Sequence, residues 1–145
     1  MSEQNFRQQV WISAVLSSVI LTDKVSHCFL TGIVDEKLSM EEIAQKEVLE
    51  ETGYEISTEH LTKLFVHYGV GAVANRMTIF YAEVTDDMKT SQGGGLQDLG
   101  EFIELFHLPL SEAKDFVFND ELSKPSGAVA ALLWFFMTKG VEYKE

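Results

Sequence analysis

A chain of 145 residues in which 46% are hydrophobic suits one packed domain and excludes wholesale disorder. The formal net charge of -12 excludes double-stranded nucleic acid and anionic membrane as partners, because both need a basic surface. Cys28 is the single cysteine, so neither an intrachain disulfide nor a multi-cysteine zinc site can form, and a reducing, cytoplasmic setting is expected.

Residues 10–21 are rich in β-branched and aromatic types and read as strand, with a break expected near Ser17-Ser18. The apolar run 10–22 falls short of the ~20 residues that span a bilayer. It has only Glu3 and Arg7 as charges ahead of it and no small-residue cleavage site after it, which argues against a signal peptide. His27 to Thr31 is a further short strand. A helix follows between Ser39 and Gly53. Ser39 with Glu42 forms a capping box, Leu38 and Ile43 occupy the two staple positions, and Gly53 stands where a left-handed residue commonly stops a helix. Leu61 to Val70 and Met77 to Val84 read as strands around a turn at Gly69-Val70-Gly71, and Glu101 to Leu108 as another. Ser111 is the expected cap of a short helix through Phe116. Ser126 is the expected cap of a final helix from Gly127 to Met137, apolar on nearly every side and so expected to be buried on more than one face. Strands mixed with two or three helices give an α/β or α+β domain with a mixed sheet, spanning 1–145 as one unit.

Glu47, Glu50 and Glu51 are spaced i, i+3, i+4 on the first helix and share one of its faces. Like charges so placed destabilise an isolated helix by ~0.2–0.5 kcal/mol per pair. A hard divalent cation, which takes carboxylate oxygens, is one compensation. A solvated acidic face is the common reading of such a run. Against it, Met40, Ile43 and Ala44 fall on the same side as Glu47 and Glu51 at ~100° per residue, so a side that begins apolar ends in carboxylates. Geometry alone leaves both readings open.

Gly32, five residues, Leu38, seven residues and then Lys46-Glu47-Val48-Leu49-Glu50-Glu51-Thr52-Gly53-Tyr54 resembles the Nudix box: Gly, five residues, Glu, seven residues, Arg-Glu, an aliphatic, any residue, Glu-Glu, any residue, Gly and an apolar. The chain keeps both glycines, the three later glutamates and the aliphatic Val48. It departs at Leu38, where the family has Glu, and at Lys46, where it has Arg. The segments Asn75 to Val84 and Gly93 to Glu104, with His107-Leu108-Pro109-Leu110, are similar to the UDP-sugar and ADP-ribose diphosphatase group, and the triple Gly is nearest the UDP-sugar branch.

The resemblance implies an α/β/α sandwich with a mixed β-sheet and a loop–helix–loop catalytic segment. It implies Mg2+ or Mn2+ held by Glu47, Glu50, Glu51 and Glu101, with the carbonyl of Thr31 as a further ligand. Asp98 is the candidate loop base, although an ordinary loop acid is at least as good a reading. Arg7 and Arg76 are candidate substrate contacts, and a solvated terminal Arg is the plainer reading of the former. The implied reaction is hydrolysis of a nucleoside diphosphate sugar, UDP-glucose to UMP and glucose 1-phosphate, with ADP-ribose as the alternative substrate. The family's first Glu and its Arg orient the metal-binding glutamates, a task Leu38 cannot perform and Lys46 performs without the forked geometry. A catalytically weak nucleotide- or protein-binding module is therefore the rival from another class. A homodimer is the assembly the group implies, although the N-terminal strands that help build it are shortened here.

Other signals carry no chemistry. Gly69 to Ala74 fits a dinucleotide fingerprint, but a strand rather than a helix is expected after it, and Gly93 to Gly95 lacks the Lys-Ser/Thr of a P-loop. The four histidines show no paired spacing, and no nucleophile-elbow motif is present.

Overall fold

The computed structural model describes residues 7–13, 17–22, 26–30, 37–68, 76–100, 103 and 105–139. They form an α/β fold. Strands β1 (Arg7–Ser13), β2 (Ser17–Thr22) and β3 (Ser26–Leu30) precede helix α1 (Met40–Glu47). Strands β4 (Leu61–Tyr68), β5 (Arg76–Thr85) and β6 (Leu105–Pro109) lead into helices α2 (Leu110–Phe118) and α3 (Ser126–Thr138). Strands β1 and β2 pair antiparallel from Gln9 with Leu21 to Ser13 with Ser17, so Ser17 and Ser18, where a break is expected, are the first residues of β2.

The sheet runs β1-β2-β3-β5-β4, and β5 also takes β1 along Arg7 to Gln9, so β1, β2, β3 and β5 close a circuit of pairings. Strand β6 adds to β2 in parallel, from Ser18 with Leu105 to Thr22 with Pro109. The sheet is therefore mixed. A register shift between Lys63 and Phe65 marks an irregularity where β4 meets β5.

Strand β5 explains the layering. Its near-continuous apolar run is what a strand covered on both faces requires. Phe80, Ala82 and Val84 are buried in one cluster with Ala44, Val48, Tyr54 and Ile56. Ile79 and Tyr81, on the opposite face, are buried with Leu108, Ala113, Val117, Ala131, Leu132 and Phe135. Helix α1 thus packs on one face of the sheet while α2 and α3 cover the other. Fully burying each large apolar side chain contributes about 1.5–3 kcal/mol.

Two local expectations are corrected. Helix α2 is N-capped by Pro109 and α3 by Pro125, neither with a side-chain cap bond, so Ser111 and Ser126 lie inside their helices. The fixed φ of proline delivers the chain to the helix start without a capping side chain. Helix α3 buries one stripe, Gly127, Ala128, Ala131, Leu132 and Phe135, and leaves Leu133 and Met137 exposed, so it is a surface helix rather than one enclosed on several faces. Strand β6 is described over Leu105–Pro109, and residues 101, 102 and 104 of the strand expected there lie outside the described residues. The turn expected at Gly69-Val70-Gly71 lies outside the described residues.

Candidate active site

The carboxylate helix starts as its sequence indicates. The backbone N–H of Ser39 donates to Glu42 Oε2 at 2.8 Å, and the N–H of Glu42 donates to Ser39 Oγ at 3.2 Å. The Ser39 backbone N–H first, and the Ser39 hydroxyl second, which also donates to Glu42 Oε2 at 2.8 Å, hold the Glu42 carboxyl below its usual value by favouring its ionised form. Of the two staple positions, Ile43 is buried and Leu38 is 40% exposed.

The far end departs from expectation. After Glu47 the α-helix widens into a π-helical turn, Val48–Thr52, before Gly53 closes it in the left-handed region at φ 75°. Such turns are rare and frequently occur at functional sites. Two of the three glutamates stand on this turn and the third caps it. Glu51 is 2% exposed, and the Glu50 side chain is 19% exposed with Lys46 Nζ 3.6 Å from its Oε1. Glu47 is half-buried. A purely solvated stripe does not describe them. Burying a carboxylate is costly unless charge or hydrogen bonds compensate.

The end of this helix is held by the segment 89–95. The Glu50 carbonyl accepts from Gly95 N at 3.0 Å and the Glu51 carbonyl from Gly94 N at 2.8 Å. The Thr52 carbonyl accepts from Lys89 Nζ at 2.8 Å, and the Gly53 carbonyl from Thr90 N at 2.8 Å and Ser91 N at 3.2 Å. Carbonyls that a helix end leaves without intrahelical partners are thereby satisfied. The approach is close enough to demand glycine. A Cβ on Gly53 would stand 2.0 Å from the Ser91 carbonyl oxygen, and one on Gly93 would stand 2.4 Å from that of Glu51. Gly93, Gly94 and Gly95 all have positive φ. The triple Gly is therefore the cradle of the carboxylate turn. No local periodicity links 93–95 to 50–53, so sequence reasoning missed this role. The available signal was three glycines in a row with no helix to follow.

Asp98 lies on the loop that leaves this cradle. It is exposed, in a short 3-10 turn Gln97–Leu99 that ends at Gly100, and the loop is pinned at its base by Ile103 N donating to the Gly94 carbonyl at 2.9 Å. Gly93, Gly95, Leu96, Gln97, Asp98 and Leu99 line an open cleft of ≈ 550 Å³. Glu101 and Thr31 lie outside the described residues. Arg7 begins β1 opposite Thr85, and Arg76 begins β5 opposite Tyr68, at separate places on the sheet. The substrate contacts expected of their side chains lie outside what is described.

Glu47, Glu50 and Glu51 offer oxygen donors of the kind Mg2+ prefers, on a turn whose carbonyls are fixed. Among the described residues, no three His, Cys, Asp or Glu side chains converge as a ready-made cage. The helix fits as a partial ligand set that needs oxygens from elsewhere.

Similarity to known proteins defines the class: the chain belongs to the Nudix hydrolase family, close to the nucleotide-sugar diphosphatases. It is 45% identical over 107 residues to a uridine diphosphate glucose pyrophosphatase of Mus musculus, covering 72% of this chain and 48% of that protein. It is 40% identical over 114 residues to the protein of the same name from Bos taurus, covering 77% and 51%. A GDP-mannose pyrophosphatase of Klebsiella pneumoniae is 31% identical over 139 residues, covering 95% and 64%. The chain thus spans about half the length of the first two relatives. No family model matches it. Among the described residues no helix is long and apolar enough to cross a membrane.

Proposed function

We propose that the chain hydrolyses the diphosphate of a nucleoside diphosphate sugar in a Nudix-type α/β/α sandwich, with UDP-glucose as the preferred substrate. The observation that carries this is the 45% identity to a UDP-glucose pyrophosphatase, against 31% to a GDP-mannose pyrophosphatase. The reaction adds water across the anhydride and breaks one P–O bond, releasing UMP and glucose 1-phosphate. Glu47, Glu50 and Glu51, with Glu101 and the Thr31 carbonyl, would hold Mg2+ or Mn2+. When bound, such a cation neutralises the diphosphate and lowers the pKa of the attacking water. It also explains how a chain of charge -12 accepts an anionic ligand.

The protein's own groups have separable tasks. The π-helical turn, fixed by 89–95, holds Glu50 and Glu51 in place so that little reorganisation accompanies binding. Asp98, which lines the cleft, is the proposed acceptor of the attacking water's proton, with Glu101 close by in sequence. Lys46 occupies the family's Arg position and pairs with Glu50 at 3.6 Å. A pair of this i, i+4 kind contributes about 0.3–0.5 kcal/mol, so a divalent cation displaces it readily. The weak-module rival keeps one observation in its favour: Leu38, at the position of the family's first Glu, is 40% exposed and orients no carboxylate.

The test is phosphate-product analysis with UDP-glucose, GDP-mannose and ADP-ribose, with and without Mg2+. UMP and glucose 1-phosphate formed only with metal are the expected result. Faster release of AMP from ADP-ribose moves the protein to the neighbouring branch. Binding of a nucleotide sugar with no cleavage of any substrate supports the binding module.

A further inference from the structure

We propose that Lys89 is a positioning residue for the carboxylate turn, and that it sets how Glu50 and Glu51 present their oxygens to a divalent cation. The inference rests on the metal reading above. Lys89 is brought to the helix end by backbone pairing: Glu55 N donates to the Met88 carbonyl at 2.8 Å, and Tyr54 bridges Lys89 in antiparallel fashion. From there its ammonium donates to the Thr52 carbonyl at 2.8 Å and lies 4.7 Å from the centroid of the Tyr54 ring. Tyr54 is 1% exposed and Thr52 fully buried, so both partners are enclosed by packing. A cation at the carbonyl end of a helix opposes the negative pole of its dipole. Here that pole lies beside two carboxylates that would otherwise share it.

The neighbouring bonds define what is left for Lys89 to do. Gly94 and Gly95 fix the carbonyls of Glu51 and Glu50. The Thr52 carbonyl is the next along the chain, and its bond to Lys89 joins the π-helical turn to the strand-like pair 54–55 and 88–89. Without it, the last turn has one buried carbonyl unbonded and a shallower hold on residue 51. Lys89 touches neither substrate nor metal in this scheme. It acts through the backbone of the turn.

The experiment measures Mn2+ binding directly by electron paramagnetic resonance on the full chain, beside metal-free thermal unfolding. The parent is expected to bind, and Glu51→Gln to lose binding. Lys89→Met is expected to remain folded and to weaken Mn2+ by about tenfold or more, as loss of a partner that orients a metal ligand does. Lys89→Arg, which keeps the charge and a donor, is expected to restore most of the affinity. Should Lys89→Met fail to fold, Lys89→Gln carries the same comparison. Mn2+ affinity in the folded variant equal to or tighter than the parent's overturns the proposal, even if its unfolding temperature drops. A parent that binds no Mn2+ overturns the metal reading itself, and this inference with it.

Discussion

Glu51 is nearly inaccessible, and Glu50 has the Lys46 ammonium 3.6 Å from its carboxylate, so neither is a freely solvated acid. Glu50→Gln and Glu51→Gln are each expected to lower Mg2+-dependent turnover by about a hundredfold or more, roughly 2.7 kcal/mol of transition-state stabilisation, while the fold survives. Steady-state kinetics with circular dichroism checks this, and parent-like turnover by Glu50→Gln removes it from the ligand set. Leu38→Glu with Lys46→Arg restores the family's pattern and is expected to raise metal affinity. Because Leu38 is already 40% exposed, the change sacrifices little packing. Unchanged Mn2+ affinity in the folded double variant would show that this branch does not use those positions. His107 has its pKa lowered, by burial first and by the charge of Lys89 second. Its folded value lies below the ordinary 6.5, so the unfolded chain binds more protons between the two. Stability therefore falls as pH drops from 6.5 into the window above the folded value. Chemical denaturation across pH 7 to 5 checks the sign, and Lys89→Met should move the His107 titration, read by NMR, back toward ordinary.

At the scale of elements, the informative one is the carboxylate helix with its cradle. Its start and its stop at Gly53 follow from local rules: a capping box and a left-handed terminator. Its π-helical turn does not follow, because the widening is stabilised by Gly94, Gly95 and Lys89, some forty residues away in sequence. Tertiary partners override local preference there. The same long-range logic predicts the most sensitive glycines. Gly93→Ala puts a methyl 2.4 Å from the Glu51 carbonyl oxygen at a φ of 69°. The left-handed backbone alone costs about 1–2 kcal/mol, and the clash adds to it. A fall in the urea midpoint beyond that of Gly100→Ala is expected, since a Cβ on Gly100 meets nothing within 4 Å although its φ is 81°. Equal losses at the two glycines would contradict the cradle. The serine caps of α2 and α3 misled for a related reason: a proline one or two residues upstream starts each helix.

For the molecule as a whole, most of the strands and helices could be read from apolar runs and terminators, and the family from one spaced motif. Strand β5 was legible as a strand from Met77 to Val84, and its doubly apolar run explains why helices cover both of its faces. Which strands pair was not readable, because the parallel match of β6 with β2 and the closure of β1 onto β5 depend on contacts distant in sequence. Under the proposed function, the net charge of -12 predicts that substrate binding by this chain depends on metal, since an unscreened diphosphate is repelled. The most direct measurement is parallel incubation with UDP-glucose and ADP-ribose, Mg2+ present or removed by chelation, with products resolved by chromatography. The expected result is UMP with glucose 1-phosphate, formed faster than AMP from ADP-ribose and abolished by chelation. UDP-glucose left intact in the presence of Mg2+, or cleaved equally well in its absence, would contradict it.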